Sequence, residues 1–330
     1  MTHHDKRVWV LVACAILGGT AAGQTPAPPE KQPAPPPLSI PISRLKPEAT
    51  IDLAAPRVLA VADDSVWAVN RTAGTVARID PKTNKVVETI KAGDHPCGGG
   101  ASGFGSLWVP LCGAAGVARI DLKTNAVTTT VKTPVGDVSR GVATANSSVW
   151  LLTDAKGTLT RIDPATNEVV AEIYLAPGTT TLAFGQGALW ALSPAKDTVT
   201  RLDPFTNLIV ETIKVGKAPV SLAIGEGAVW VLNQGDGSVS RVDSKTNKVT
   251  ETIKIGPIGL PAELAAGEGS IWISAAGAPL IRIDPRTNHV VQQFTGPGGG
   301  SVVVGHGAIW LGATPAAIWR IDPKRAEATR

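Results

Sequence analysis

Aromatic residues make up only 4% of this 330-residue chain, with a single tyrosine and a single methionine. So few rings exclude a core of mixed aromatic packing. What aromatics there are must recur for a reason, and nine of them are tryptophan. Charge is sparse as well, at 18%. The net charge of +4 is spread along the chain. Without a clustered Lys/Arg footprint, no nucleic-acid partner is expected. No segment carries a convincing 3.6-residue apolar period, which excludes a helical architecture. Three cysteines are too few for a disulfide-dense scaffold. Glycine (35) and proline (26) are abundant, as in a fold of many short strands joined by turns.

The N-terminus has the layout of a secretory signal peptide over residues 1–23. A polar start ends in Lys6 and Arg7, Val8 to Gly19 is apolar, and Thr20-Ala21-Ala22-Gly23 supplies small residues for cleavage. The apolar run is too short to span a bilayer permanently. Leu11-Val12-Ala13-Cys14 offers an alternative, a bacterial lipobox with lipid attached at Cys14, although only six apolar residues precede that cysteine. Residues 24–47 form a Pro-rich linker, with Pro28-Pro29 and Pro35-Pro36-Pro37. Proline fixes φ and removes donors, so an extended tether without a packed core is expected, either a spacer from an envelope surface or an inert leader.

The main signal is a repeat of about 40 residues. Trp67, Trp108, Trp150, Trp190, Trp230, Trp272 and Trp310 are spaced by 41, 42, 40, 40, 42 and 38 residues. An Arg-(Ile/Leu/Val)-Asp triplet at Arg78, Arg119, Arg161, Arg201, Arg241, Arg282 and Arg320 keeps the same register. Within one copy, Val220 to Gly256, four short strands alternate with turns at Gly225-Glu226-Gly227, Gln234-Gly235-Asp236-Gly237 and Ser244-Lys245-Thr246-Asn247. The fold predicted is all-β: a seven-bladed propeller of four-stranded antiparallel blades over residues 48–323, followed by a polar tail, 324–330. The seventh copy lacks its fourth strand. Ala49-Thr50-Ile51-Asp52-Leu53 is expected to supply it and close the ring.

Both markers read as structural. A buried Trp removes ~150–250 Å² from water, worth roughly 4–6 kcal/mol as an upper bound. The triplet Asp starts an Asp-Pro-x-Thr-Asn turn, where its carboxylate accepts turn N–H groups. A catalytic reading would require seven active sites.

The pattern Arg-Ile-Asp-Pro-x-Thr-Asn-x-Val-Val, followed by Gly-x-Gly-x-Val-Trp-Val-x-Asn, resembles the YVTN-type β-propeller repeat. Trp67-Ala68-Val69-Asn70 and Trp230-Val231-Leu232-Asn233 stand where that family shows Tyr-Val-Thr-Asn. The chain is also distantly similar to the streptogramin B (virginiamycin B) lyase group. That likeness implies a magnesium-assisted lyase with His and Glu on top-face loops. The group's blades carry Trp-Phe-Thr-Glu, whereas the corresponding strands here lack the Glu, so no catalytic residue carries over.

A propeller's usual ligand face holds the loops entering each first strand and those joining second to third strands. His95 is the one histidine expected there, since His289 and His306 lie in turns on the opposite face. Arg57 and Arg140 occupy equivalent entry positions ten residues before their Trp anchors. With Lys217 and His95 they compose a candidate anion site, because Arg grips carboxylate or phosphate through a bidentate fork. Structural pairing with acids such as Asp94 and Glu263 is the alternative. No His/Cys/carboxylate cluster has metal spacing, and no nucleophile or phosphate-loop motif is present. Cys97 and Cys112 are symmetric about Phe104-Gly105, so a disulfide across that hairpin is expected, which suits an oxidising, exported location. The alternative, a reactive thiol pair, needs a lowered pKa that no neighbour supplies.

These observations together lead to an exported, periplasmic or extracellular binding or scaffold propeller. Its partner would be an envelope protein or peptide, a glycan or a small anion, with no cofactor. The alternative is a metal-assisted lyase using His95, Glu263 or Asp94 as acid/base, the one case in which Mg²⁺ is implied.

Overall fold

The computed structural model describes Met1 and residues 36–53, 58–62, 64–97, 99–136, 141–313 and 316–329. The signal segment, Cys14, Arg57 and Arg140 lie outside the described residues.

Seven antiparallel sheets follow one another along the chain, each with its strands in sequential order. The first blade is Val58–Ala62, Ser65–Asn70, Thr75–Asp80 and Lys85–Lys91. The fifth is Pro219–Gly225, Ala228–Asn233, Ser238–Asp243 and Lys248–Lys254. First strands of successive blades lie side by side around a central channel, and that of the seventh, Val302–Gly305, returns to that of the first. Closure is as expected: Ala49–Asp52 pairs antiparallel with Ala317–Ile321, with Ile51 opposite Ile318.

Each anchor Trp sits on a second strand, fully buried. It faces a small residue on the first strand, alanine in blades one to six and Val303 in the seventh. On the third strand it faces the triplet Arg, whose guanidinium stacks over the indole at 4.9–5.9 Å. Six indole N–H groups donate to the carbonyl five residues earlier, for example Trp230 Nε1 to Gly225 O at 3.0 Å. Among the described residues, Trp67 Nε1 is the one anchor N–H without a partner.

The two glycines of the Gly-x-Gly turn have separate tasks. A Cβ on Gly185 would meet Ile224 of the next blade at 2.6 Å, so the first glycine lets neighbouring blades approach. The second has open space but φ of +74° at Gly187, and Gln186 before it has +50°. Two successive left-handed residues make the hairpin turn whose twist matches the strands.

The Asp-Pro-x-Thr-Asn turn does more than reverse the chain. Asp80 Oδ1 accepts from Lys82 N at 2.8 Å, and Asn84 takes the left-handed φ of +58° that asparagine tolerates. In five blades the Asn also accepts from the triplet Arg of the preceding blade: Arg78 to Asn125, Arg119 to Asn167, Arg161 to Asn207, Arg201 to Asn247 and Arg241 to Asn288, at 2.7–3.2 Å. Arginine therefore joins blades in addition to covering its own Trp.

The described residues flanking the ring on both sides are more ordered than the sequence suggests. Leu38–Pro41 adds a parallel fifth strand to the outer edge of the sixth blade. Ile40, Ile42 and Leu45 are buried in a cluster with Trp272, Phe294 and Leu311. Over these residues the linker is packed, as a strand at Leu38–Pro41 and a 3-10 turn at Ile42–Arg44, because its apolar side chains find a sheet edge. Trp319, outside the set of anchors, packs partly buried against the same cluster. The polar tail forms a short helix, Pro323–Ala328, with Ala326 buried. Asp322-Pro323-Lys324 begins like every other turn, with Lys324 N donating to Asp322 Oδ1 at 2.8 Å. No fourth strand follows, so the chain coils. Glu327 then receives Arg282 at 2.6 Å, in the place of the missing Asn.

Candidate functional site

The entry loops and second-to-third-strand loops share one face, where side-chain and disulfide ties fasten them to each other. Cys97 and Cys112 are bonded, with Cα atoms 5.9 Å apart. Cys97 precedes the short first strand Ala101–Gly103, and an isolated bridge joins Pro96 to Leu111. Cys112 N donates to His95 O at 3.0 Å, and Cys97 N to Pro110 O at 2.8 Å. The disulfide thus holds the loop bearing His95 against the loop after the second strand. His95 takes φ of +47° there. Its Nδ1 lies 2.7 Å from Asp94 Oδ1, with both side chains more than half exposed.

A second tie lies between the fourth and fifth blades. Asp197 accepts from the backbone N–H of Ala218 at 2.9 Å and from Lys217 Nζ at 3.0 Å. The Ala218 N–H first, then the Lys217 ammonium, hold the Asp197 carboxyl below the usual carboxylate range. Asp236 accepts from Lys217 N at 3.1 Å. Lys217 itself stays largely exposed. Asp197 and Asp236 escaped the sequence reading. Their contacts join separate loops, which no local sequence pattern announces.

Glu263 is on the first strand of the sixth blade, half-buried, and accepts from Val302 N of the seventh at 3.2 Å. Ser221, nine residues before its own Trp as Glu263 is, accepts from Leu264 N at 3.1 Å. Both join adjacent first strands. The structure therefore brings together Asp94 with His95, and Lys217 with Asp197, while Glu263 contacts neither pair in any hydrogen bond described. Among the described residues, no group of three or more His, Cys, Asp or Glu is positioned to hold a metal ion.

No protein-family model matches the chain, and no curated protein sequence does. Solved structures do. A virginiamycin B lyase from Staphylococcus aureus superposes with a TM-score of 0.68 at 18% identity, over 83% of this chain and 98% of that one. A streptogramin B lyase gives 0.69 at 19%, over 82% and 94%. Hydrazine synthase of Kuenenia stuttgartiensis gives 0.68 at 15%, over 83% and 97%. At such identities the likeness is one of fold: a seven-bladed propeller of the streptogramin B lyase type.

Proposed function

We propose that the protein is an exported binding propeller of the cell envelope, presenting its loop face to a peptide, a glycan or a small anion. The observation that carries this reading is the bracing of that face. The disulfide and the Asp197–Lys217–Ala218 tie fix the loops, yet the His95 ring and the Lys217 ammonium stay exposed at 58% and 74%. Preorganised polar groups lose little freedom on binding. Because Asp94 already contacts His95 and Asp197 already contacts Lys217, an anion needs Arg57 and Arg140 to complete its site. The disulfide and the signal-like N-terminus suit an oxidising compartment outside the cytoplasm.

The test is a thermal-shift screen of the mature chain against inorganic phosphate, oligosaccharides and peptidoglycan fragments. Stabilisation lost in both Arg57→Ala and Arg140→Ala supports the reading. No shift with any of them, together with turnover abolished by a single loop-face substitution, overturns it.

A second reading is a lyase. It is favoured by the likeness of fold to the two streptogramin lyases and by the 2.7 Å His95–Asp94 contact, a geometry suited to proton transfer. Since the described residues do not assemble a metal site, no magnesium-dependent step is assigned. Ring opening of a streptogramin B by the wild type, but not by His95→Ala, decides in its favour.

A further inference from the structure

The first strands differ in sequence between blades. Eight residues before each anchor Trp stands an aliphatic side chain: Leu59, Val142, Leu182, Leu222, Leu264 and Val302. In the second blade that position is Gly100, preceded by Gly99. The first strand there shrinks to Ala101–Gly103, the shortest of the seven. Beside Gly99 and Gly100 lies a cavity of about 330 Å³. Its lining comes from three consecutive first strands: Gly99 to Ala101, Val142 to Thr144, and Leu182 to Phe184.

We propose that this cavity, between the first strands of blades two, three and four, binds a small uncharged molecule with an apolar ring. Its volume falls in the range of small-molecule sites, ~300–1,000 Å³. None of the nine lining residues carries a charge, so an ion finds no opposite charge there to offset its lost hydration. The one lining hydroxyl, Thr144 Oγ1, already donates to Ser102 O at 2.5 Å. Phe184 is the ring-binding element. Its side chain is 43% exposed, in a chain whose Trp anchors and Phe294 are all fully buried. An apolar ring packed on Phe184 and the half-buried Ala101 and Ala183 removes that exposed surface from water. The disulfide also finds a reason here. A first strand stripped of its leading side chains has a weak hold on its blade, and Cys97–Cys112 fastens the segment just before the glycines. Neither His95 nor Lys217 lines the cavity, and the proposal stands whether or not the loop-face reading does.

The experiment uses the mature chain with indole and 4-methylphenol as neutral ring probes and 4-methylbenzoate as the charged counterpart. Binding is read by ligand-observed NMR and melting temperature. The expected result is saturable binding of both neutral rings, with each displacing the other. Affinity drops more than about tenfold in Phe184→Ala and in Ala101→Leu, which narrows the cavity, and is unchanged in His95→Ala. The benzoate binds at least about tenfold more weakly than 4-methylphenol. Phe184 is exposed, so Phe184→Ala should melt like the wild type and decides the matter even if Ala101→Leu fails to fold. Absence of binding at millimolar probe, or full binding in Phe184→Ala, overturns the proposal. Loss in His95→Ala alone moves the rings to the loop face and overturns it too.

Discussion

Arg119 stacks on Trp108 within its own blade and donates to Asn167 Oδ1 of the next blade at 3.0 Å. One side chain thereby covers an anchor and joins two sheets. Asn167→Gly keeps the left-handed φ of +61° and deletes only the acceptor. It should destabilise by about 1.5–3 kcal/mol, the value of a hydrogen bond to a charged group. Asn167→Ala should cost roughly 1–2 kcal/mol more, because Ala resists that φ. Urea unfolding of the two variants separates the terms.

The same arginine position reveals two repairable defects. In blades one, two, three and six, Nε donates to a serine two residues before the Trp, as Arg161 does to Ser148 at 2.7 Å. Blades four and seven have Ala188 and Ala308 there, and the buried Nε atoms of Arg201 and Arg320 have no partner. Ala188→Ser and Ala308→Ser should each stabilise by about 1 kcal/mol. A lower melting temperature in both variants would contradict this account.

Acid should loosen the turns. Asp80, Asp121 and Asp243 are held below the usual carboxylate range, first by backbone N–H groups of their own turns. A carboxylate depressed on folding stabilises fully above its unfolded pKa, and the contribution is lost as pH falls through the lower folded value. The melting temperature should therefore stay level from pH 7 to about 5 and fall below about pH 4. Asp121→Asn should show a smaller fall than the wild type.

Reducing Cys97–Cys112 should cost about 3 kcal/mol, given the sequence separation of 15. Hydrogen exchange should accelerate at the Cys112 amide, which donates to His95 O, and stay unchanged at Ala218. Uniform acceleration would mean that the bond supports the whole ring rather than one loop.

A chain starting at Lys46 loses Ile40, Ile42 and Leu45 from the cluster around Trp272 and Phe294. At roughly 1.5–3 kcal/mol for each buried aliphatic, it should melt well below a chain starting at Pro36. Equal melting temperatures would assign no stabilising role to this strand.

Much of this architecture could be read from spacing. Trp67 through Trp310 and the Arg triplets repeat at about 40 residues, and a period of that length specifies blades. Ring closure by Ala49–Asp52 was legible because one repeat lacked a strand. The partner of Asn167 was not, because Arg119 is 48 residues away and either residue alone looks like turn or strand chemistry. Leu38–Pro41 was hidden by the prolines beside it, whose composition outweighed Ile40 and Ile42. In the candidate site, the disulfide and the loop position of His95 were legible. The Asp197 tie depends on a fold contact between loops and left no local pattern.

The Arg-to-Asn bonds all run from one blade to the following one. The ring therefore has a sense of rotation, and injury travels against it. A damaged turn releases the arginine of the blade before it and uncovers that blade's indole, while the blade after it keeps its own cover. Tryptophan emission from single-Trp variants should then brighten or shift one blade upstream of the altered turn, so the position of a lesion can be told from which anchor reports it.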